Sequence, residues 1–244
     1  MEQKKLYEHW NKIFLHQQYD FRSRNLNKLV LSLISKDKNV KILDIGCGTC
    51  GLTIFLKNNG YVNITSVDSS REMIEMSKRL LKKNKINHKN IYHKSINVLA
   101  KEKNKFDYII CLDVLEHIEN DKQAFKNLLK ILDKKGNLII SVPAIPALYG
   151  PKDTKVGHYR RYSKKMLENL INQDNLKVKL IRYWNFIGVI PTYLSLKLKT
   201  KAIDEKFRHQ DNSLKNKILS TWFSIVENHI KPPIGLSLIT KLSF

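Results

Sequence analysis

The sequence Ile42-Leu43-Asp44-Ile45-Gly46-Cys47-Gly48-Thr49-Cys50-Gly51 joins a short apolar run to a glycine-rich turn. Glycine adopts backbone conformations that a Cβ forbids, and it lets the chain approach a ligand closely. A strand that passes through such a turn into a helix is typical of the first unit of a ligand-binding α/β sheet. We therefore predict that this turn holds the principal ligand.

Two acids indicate which ligand the turn would hold. Val67-Asp68 ends the next apolar run, where a carboxylate accepts hydrogen bonds from the ribose hydroxyls of an adenosine ligand. Asp44 precedes the first glycine, and an anion at that place repels a pyrophosphate but attracts a cation. Because S-adenosylmethionine (SAM) carries a sulfonium and an ammonium group, the two acids favour SAM over a dinucleotide.

Apolar runs and amphipathic segments alternate along the chain, which predicts an α/β fold with a mostly parallel sheet and helices on both faces. We predict strands at 40–45, 62–67, 90–93, 106–112, 137–142, 176–183 and 234–244. We predict helices within 2–34, at 69–83, 121–132 and 163–173, and two more within 187–231. The long loop at 143–162 is rich in Pro and Gly, and loops of that length tend to be functional.

The length of the chain suits a single domain, 1–244, for which we expect five segments. They are an N-terminal helical cap (1–37), a SAM-binding core (38–145), a substrate loop with its helix and strand (146–186), a helical insertion or lid (187–231) and a final strand (232–244).

The glycine turn, Asp68 and the run from Phe106 to Ile118 together resemble the first, second and fourth motifs of class I SAM-dependent methyltransferases. The resemblance covers about residues 38–145 and implies a Rossmann-like sheet of seven strands with the last strand antiparallel. It also implies the following cofactor-binding residues: Arg22, Asp44, Gly46, Cys47, Gly48, Asp68, Ser69, Ser95, Ile96, Leu112 and Asp113. The sequence departs from the family at Ser95, where Asp is usual, and at Cys50, where a third glycine is usual.

A narrower resemblance involves Val142-Pro143-Ala144, Asp153 and Gly157-His158-Tyr159-Arg160-Arg161-Tyr162-Ser163, with Phe21-Arg22-Ser23-Arg24 and the segment 233–239. These motifs are similar to a subgroup related to quinone-biosynthesis methyltransferases. The resemblance implies methyl transfer to an O or N atom of a small molecule or of a lipid- or glycan-linked acceptor.

Methyl transfer from a sulfonium requires alignment of the nucleophile and removal of its proton. We predict that the catalytic residues come from four side chains near the ends of the fourth and fifth strands: His117, Asp153, His158 and Tyr162. Arg160 and Arg161 are candidates for binding an anionic group of the substrate, with Tyr149 beside them. Each role has an alternative. His158 could be a loop histidine without a catalytic role, Tyr162 could be a packed aromatic, and Arg160 and Arg161 could be surface charges.

The net charge of +22 leaves two further functions open. It fits an RNA methyltransferase, although the scattered lysines also fit a compositional bias. The third function is a non-catalytic SAM-binding interaction module. No apolar leader precedes the domain, so we expect a cytoplasmic protein, and the apolar, lysine-flanked segment 187–231 indicates either a lid or peripheral contact with a membrane.

Three cysteines, Cys47, Cys50 and Cys111, do not indicate a disulfide framework. Cys47 and Cys50 have the spacing of half a zinc site but lack a second pair, so no metal is predicted. Because the first and fourth strands are expected to be neighbours, oxidation of Cys47 with Cys111 is a hypothesis for inactivation.

Overall fold

A computed structural model of the chain describes residues 21–83, 85–172, 176–198 and 214–244. The predicted helix before residue 21 and the middle of the predicted helical insertion lie outside these residues. The described residues form one seven-stranded sheet with helices on both faces.

The strands are bounded as follows: β1 Ile42–Ile45, β2 Ile64–Asp68, β3 Ile91–His93, β4 Phe106–Leu112, β5 Leu132–Pro143, β6 Lys177–Trp184 and β7 Ser237–Ser243. The helices are α1 Phe21–Leu33, α2 Gly51–Asn58, α3 Arg71–Lys83, α4 Ile96–Leu99, α5 Asp121–Ile131, α6 Pro151–Lys155, α7 Lys164–Ile171, α8 Val189–Lys197 and α9 Leu214–Trp222. Short 3₁₀ turns occupy Leu115–His117 and Pro146–Leu148, and a π-helical turn at Phe223–Glu227 extends α9.

The order of strands across the sheet is β3-β2-β1-β4-β5-β7-β6. The pairs from β3 to β5 are parallel, whereas β7 runs antiparallel to both β5 and β6. This order confirms the predicted fold class, including the antiparallel last strand. The order reverses between β1 and β4, and ligands of open α/β sheets bind at the carboxyl ends of the strands at such a point.

The central strands are buried on both faces, which explains their nearly continuous apolar sequence. On one face the core includes Ile109, Phe125, Leu128 and Leu167, which joins α5 and α7 to the sheet. On the other face Val30 and Leu56 join α1 and α2 to Ile42. The sheet is therefore a rigid platform that fixes the loops at its carboxyl edge.

Two predicted segments differ most from the structure. Strand β5 begins at Leu132 rather than at Asn137, because Leu132 is buried and pairs with Phe106 across a shift in register. The predicted loop at 143–162 is partly helical, because the Asp153 carboxylate accepts a hydrogen bond from Gly150 N (3.0 Å) and caps α6. In the part of the chain that the structure describes, no helix has the length and apolar content to cross a membrane.

Candidate functional site

The glycine turn after β1 is held in left-handed backbone conformations by its sequence. Gly46 has φ +66°, and a Cβ there would lie 2.3 Å from Val114 Cγ2. Gly48 has φ +51°, but a Cβ there would meet no protein atom within 4 Å. Gly46 is therefore required by the fold, whereas Gly48 faces open space that a ligand can enter. Cys50 also has a positive φ, 59°, and begins α2 without a side-chain cap.

Asp68, at the end of β2, ties the turn to the neighbouring strand. One carboxylate oxygen accepts a hydrogen bond from Gly48 N (2.9 Å), and the other accepts one from Ser70 N (2.8 Å). The adjacent Ser69 is exposed, and its carbonyl oxygen lies 2.9 Å from His93 Nε2. Asp68 is only half-buried, so its carboxylate can still bind the hydroxyls of a ribose placed over the turn.

Asp44 lies under the same turn and is buried. Its carboxylate accepts a hydrogen bond from Thr53 Oγ1 (2.7 Å), which is itself 2.7 Å from Ser66 Oγ. Burial raises the pKa of Asp44 to about 7, and the hydrogen bond from Thr53 offsets only part of that effect. A cation bound at the turn would favour the ionised form of Asp44. This acid and the open space over Gly48 fit a cationic ligand such as SAM.

Ser95 and Ile96, two of the predicted cofactor-binding residues, follow β3. The Ser95 hydroxyl accepts a hydrogen bond from Val98 N (3.4 Å) and caps the short helix α4, and Ile96 is buried. Ser95 therefore takes the role of a helix cap, which the usual Asp could also fill. Leu112 is half-buried at the end of β4.

Arg22 and Asp113 form an ion pair (3.1 Å) that connects α1 to the end of β4. Ser141 Oγ also donates to Asp113 (2.8 Å), and Arg22 also donates to Ser237 Oγ (3.1 Å). Burial would raise the pKa of Asp113, but Arg22 and Ser141 together hold it below its usual range. In this geometry Arg22 pairs with an acid of the protein rather than pointing alone toward a cofactor carboxylate. Its guanidinium also lies 5.6 Å from the centre of the Trp184 ring.

The loop after β5 holds a second group of charged side chains. Asp153 is buried and accepts two hydrogen bonds from Arg161 Nε (2.9 and 3.0 Å) and lies 2.9 Å from Nδ1 of His158. Burial would raise the pKa of Asp153, but the bonds to His158 and Arg161 keep it below its usual range. An ionised Asp153 favours the tautomer of His158 with hydrogen on Nδ1, so Nε2 carries a free lone pair.

His158 Nε2 faces the turn that follows β4. It lies 3.9 Å from Oε1 of Glu116, and the His117 and His158 rings meet edge-to-face with centroids 4.6 Å apart. Burial and the neighbouring His158 lower the pKa of His117. In the described part of the chain, Glu116, His117 and His158 are a group of metal-binding side-chain types whose ligand atoms lie within 4.8 Å of one another. The sequence predicted the histidines but missed Glu116, whose signal is an acid inside the apolar run 112–118.

Two other predicted residues, Tyr162 and Arg160, contact the protein itself. Tyr162 is buried, and its hydroxyl donates to Asp121 (2.8 Å). Burial and this contact raise its pKa far above the usual range. Arg160 donates to the carbonyls of Ile118 and Glu119 and pairs with Asp121 (3.0 Å). These contacts favour a packing role for Tyr162 over the predicted catalytic role, and a structural role for Arg160 over the predicted substrate-binding role.

Tyr149 and Cys111 complete the predicted set. The Tyr149 hydroxyl donates to the His158 carbonyl (2.7 Å), so it stabilises the loop after β5.

The three cysteines lie near β1. Cys111 is the register partner of Ile45 in β1, and Cys47, Cys50 and Cys111 are all buried free thiols. A hydrogen bond with Cys50, together with burial, raises the pKa of Cys47 far above its usual range. Oxidation of these thiols stays a prediction.

Comparisons with known proteins agree with this geometry. A family described as a methyltransferase domain matches residues 14–192. A ubiquinone biosynthesis O-methyltransferase of Rickettsia bellii is 31% identical over 136 residues, which are 54% of this chain and 55% of that protein. Coclaurine N-methyltransferase, solved with N-methylheliamine and SAH, superposes with a TM-score of 0.61 at 16% identity over 90% of this chain and 72% of its own. The [4+2]-cyclase SpnF superposes with a TM-score of 0.61 at 15% identity, over 91% and 81% of the two chains.

The strand order β3-β2-β1-β4-β5-β7-β6 with an antiparallel β7, a glycine turn after β1 and an acid at the end of β2 are together the features of the Rossmann-like methyltransferase fold. The chain belongs to the methyltransferase-domain family. The predicted resemblance to methyltransferases is therefore confirmed. In its alignments the chain spans about half the length of the curated relatives it matches. The solved structures establish the shared fold alone, because one fold carries different reactions.

Proposed function

We propose that this protein is a SAM-dependent methyltransferase that acts on a small-molecule or lipid-linked acceptor. The observation that carries the proposal is the turn at Gly48, which is open to a ligand and is bonded to Asp68 at the end of β2. In this proposal Asp68 binds the ribose, the turn from Gly46 to Gly48 contacts the methionine part, and Asp44 favours the positive charge.

The remaining proposed cofactor contacts lie around this turn. Cys47 and Ser69 lie next to Gly48 and Asp68 in sequence. Ser95 and Ile96 follow β3, Leu112 is the last residue of β4, and Asp113 follows it. Because these strands all end at one edge of the sheet, their following residues can surround a single ligand. We propose that Arg22 acts here by holding Asp113.

When bound, SAM supplies a methyl group on a positively charged sulfur. The tasks left to this chain are to align the acceptor, exclude water and take up the acceptor's proton. We propose that His158 takes up that proton at Nε2, because Asp153 holds the hydrogen on Nδ1 and Arg161 holds Asp153. His117 contacts the His158 ring, and the negative charges of Asp113 and Asp68 also act on its pKa.

For the acceptor we propose a hydroxyl group on a molecule with an apolar part. The relatives named ubiquinone biosynthesis O-methyltransferase support an oxygen acceptor. The apolar helix α8 supports an apolar part, since Leu196 lies against Gly150 at the start of α6 (2.5 Å from the place of a Cβ). Arg160 and Arg161 are engaged by Asp121 and Asp153, so the geometry favours a neutral acceptor over an anionic one.

We also propose peripheral contact with an anionic membrane surface through α8 and α9. Helix α8 is largely apolar, yet it has no buried residue. Its exposed apolar side chains and those near α9 are Ile190, Tyr193, Leu194, Leu198, Ile218, Trp222 and Ile225. The net charge of +22 would add attraction to anionic headgroups.

We further propose that residues 1–244 act as one methyltransferase domain, with the segments expected from the sequence. Support comes from α1 and α9, which pack together beside the sheet, and from β6 and β7, which extend the same sheet beyond the core segment. In this proposal residues 146–186 supply the substrate loop with its helix and strand, and 187–231, of which 199–213 lie outside the described residues, supply a helical insertion or lid.

The test is isothermal titration of SAM and of its product SAH into the wild-type protein, Asp68→Ala and Asp37→Ala. Asp37 is an exposed acid before β1, at the opposite edge of the sheet, so it serves as the control. We expect Asp68→Ala to weaken binding by about 10- to 100-fold, which corresponds to one charged hydrogen bond. Failure of the wild type to bind either ligand would overturn the proposal.

If SAM binds, transfer of a labelled methyl group decides between an enzyme and a non-catalytic SAM-binding module. We expect label to move to 4-alkylphenols more readily than to alkylamines. Transfer to RNA instead, with steep salt dependence, would favour the RNA methyltransferase that the net charge leaves open.

A further inference from the structure

Glu116 is a buried acid whose carboxyl group has no hydrogen-bond partner. The residue is 0% exposed, and neither Oε1 nor Oε2 has a donor within the described part of the chain. An unpaired buried carboxyl destabilises the fold, and burial raises the pKa of Glu116 well above its usual range. Because proteins pair nearly all buried polar groups, this exception points to a partner that arrives from outside.

The place of Glu116 in the fold indicates what that partner is. The 3₁₀ turn that carries it follows β4 at the carboxyl edge of the sheet. Its Oε1 lies 3.9 Å from Nε2 of His158, and its backbone carbonyl accepts a hydrogen bond from Tyr159 N (2.8 Å). The backbone bond fixes the turn after β4 against the loop after β5. The Glu116 carboxyl therefore lies between two loops that border the crevice where ligands of such sheets bind.

We propose that Glu116 contacts the methyl acceptor, and that its carboxyl group, in the protonated form that burial favours, donates a hydrogen bond to the oxygen atom that is methylated. This inference rests on the methyl transfer proposed above. The bond between methyl carbon and sulfur breaks as the bond between methyl carbon and acceptor oxygen forms, so the sulfonium becomes a neutral thioether. The acceptor's proton moves to Nε2 of His158. Glu116 orients the hydroxyl so that one lone pair faces the methyl group.

The experiment uses the full chain and three variants: Glu116→Gln, Glu116→Met and Glu119→Gln. Glu119 is an exposed acid two residues past the end of that 3₁₀ turn and serves as the matched control. For each protein we would measure Tm, affinity for SAH and transfer of labelled methyl from SAM to 4-alkylphenols.

The expected results separate function from packing. Glu116→Met should raise Tm by at least about 2 °C, because it removes an unpaired buried carboxyl without a large change in volume. Both Glu116 variants should bind SAH within about twofold of the wild type. Glu116→Met should lose methyl transfer by at least about 100-fold, whereas Glu116→Gln, whose amide can donate the same hydrogen bond, should keep at least about a tenth of the wild-type rate. Glu119→Gln should match the wild type in all three measurements.

Three outcomes would overturn the inference. A lower Tm in Glu116→Met would show that the acid serves packing. Methyl transfer at the wild-type rate by Glu116→Met would show that Glu116 does not contact the acceptor. Wild-type activity that EDTA removes and Mg²⁺ restores would assign the carboxyl to a cation instead. Loss of SAM and SAH binding by the wild type itself would defeat the proposed function, which is a different failure.

Discussion

At the scale of single residues, Asp44 links the fold to the charge of its ligand. Its folded-state pKa, about 7, is above the ordinary value of 3.8 because the carboxyl is buried, and nearby Asp68 adds to the effect. Between these two values the folded protein holds a proton that the unfolded chain has released. The contribution of Asp44 to stability therefore falls as pH rises through that window and stays low above about pH 7.

This coupling predicts a pH dependence of cofactor binding. A cation over the turn favours the ionised acid, so affinity for SAM should fall by up to about tenfold for each pH unit below about 7 and level off above it. Asp44→Asn should remove this dependence and weaken binding at pH 8. Titration calorimetry between pH 5.5 and 8 measures both effects, and equal wild-type affinities at pH 6 and pH 8 would contradict the account.

The same substitution should stabilise the protein. Asp44→Asn replaces a buried carboxyl with an uncharged group that still accepts the bond from Thr53. We expect its Tm to exceed that of the wild type at pH 8, where the wild-type acid is ionised, and to match it near pH 5.5. Thermal unfolding at the two pH values checks this. A Tm of Asp44→Asn below that of the wild type by the same amount at both pH values would indicate damage to packing instead.

His158 is the residue that most directly tests the proposed chemistry. Removal of a positioned general base lowers turnover by about 10²- to 10⁴-fold, so His158→Ala should lose methyl transfer by that amount while SAH affinity is unchanged. Tyr149→Phe is the control, because the Tyr149 hydroxyl contacts the His158 backbone carbonyl and Thr154 Oγ1 rather than the His158 ring. Turnover of His158→Ala within threefold of the wild type would remove His158 from the mechanism.

At the scale of elements, the turn between β1 and α2 contains one glycine that folding requires, Gly46, and one that faces the proposed ligand space, Gly48. Both Gly46 and Gly48 have positive φ, so alanine at either place costs about 1–2 kcal/mol in backbone strain. Only at Gly46 would the new Cβ also collide with the protein, 2.3 Å from Val114 Cγ2.

We therefore predict different losses for the two alanine variants. Gly48→Ala should fold with a modestly lower Tm and lose SAH binding, because its Cβ enters the space of the ligand. Gly46→Ala should lose considerably more stability as well as binding. Thermal unfolding and SAH titration of the pair test this difference, and SAH affinity in Gly48→Ala equal to that of the wild type would show that the open space is not the cofactor site.

At the scale of the whole molecule, the exposed apolar side chains of α8 and α9 predict association with anionic vesicles. Ile190 and Ile225 are 65% and 64% exposed. The double variant Ile190→Ser with Ile225→Ser should sediment less with vesicles containing phosphatidylglycerol at low salt. Val62→Ser is the control, because Val62 is 61% exposed but lies before β2, at the opposite edge of the sheet. If the wild type does not sediment with the vesicles, membrane contact is contradicted and the alternative is that α8 and α9 form a lid.

Several features of this protein follow from local sequence. The period of apolar residues gave the strands β1 to β4 within about two residues, because a strand buried on both faces must be apolar throughout. The glycine turn and Asp68 indicated the ligand edge, because positive φ and a carboxylate at a strand end are local requirements. The antiparallel direction of the last strand was predicted from the resemblance to methyltransferases, since the sequence of one strand does not specify the direction of the strand it pairs with.

Tertiary structure alone decided which candidate side chains meet. Tyr162 and Arg160 lie beside His158 in the sequence, yet they contact Asp121 at the start of α5. Glu116 is 42 residues from His158. The two loops are brought together by the hydrogen bond from Tyr159 N to the Glu116 carbonyl and by those from Arg160 to the carbonyls of Ile118 and Glu119. Burial, which sets the pKa of Asp44 and leaves Glu116 without a partner, depends on packing across the whole sheet. Sequence thus determined the elements and the cofactor edge, whereas the partners of each polar group arise from contacts between distant segments.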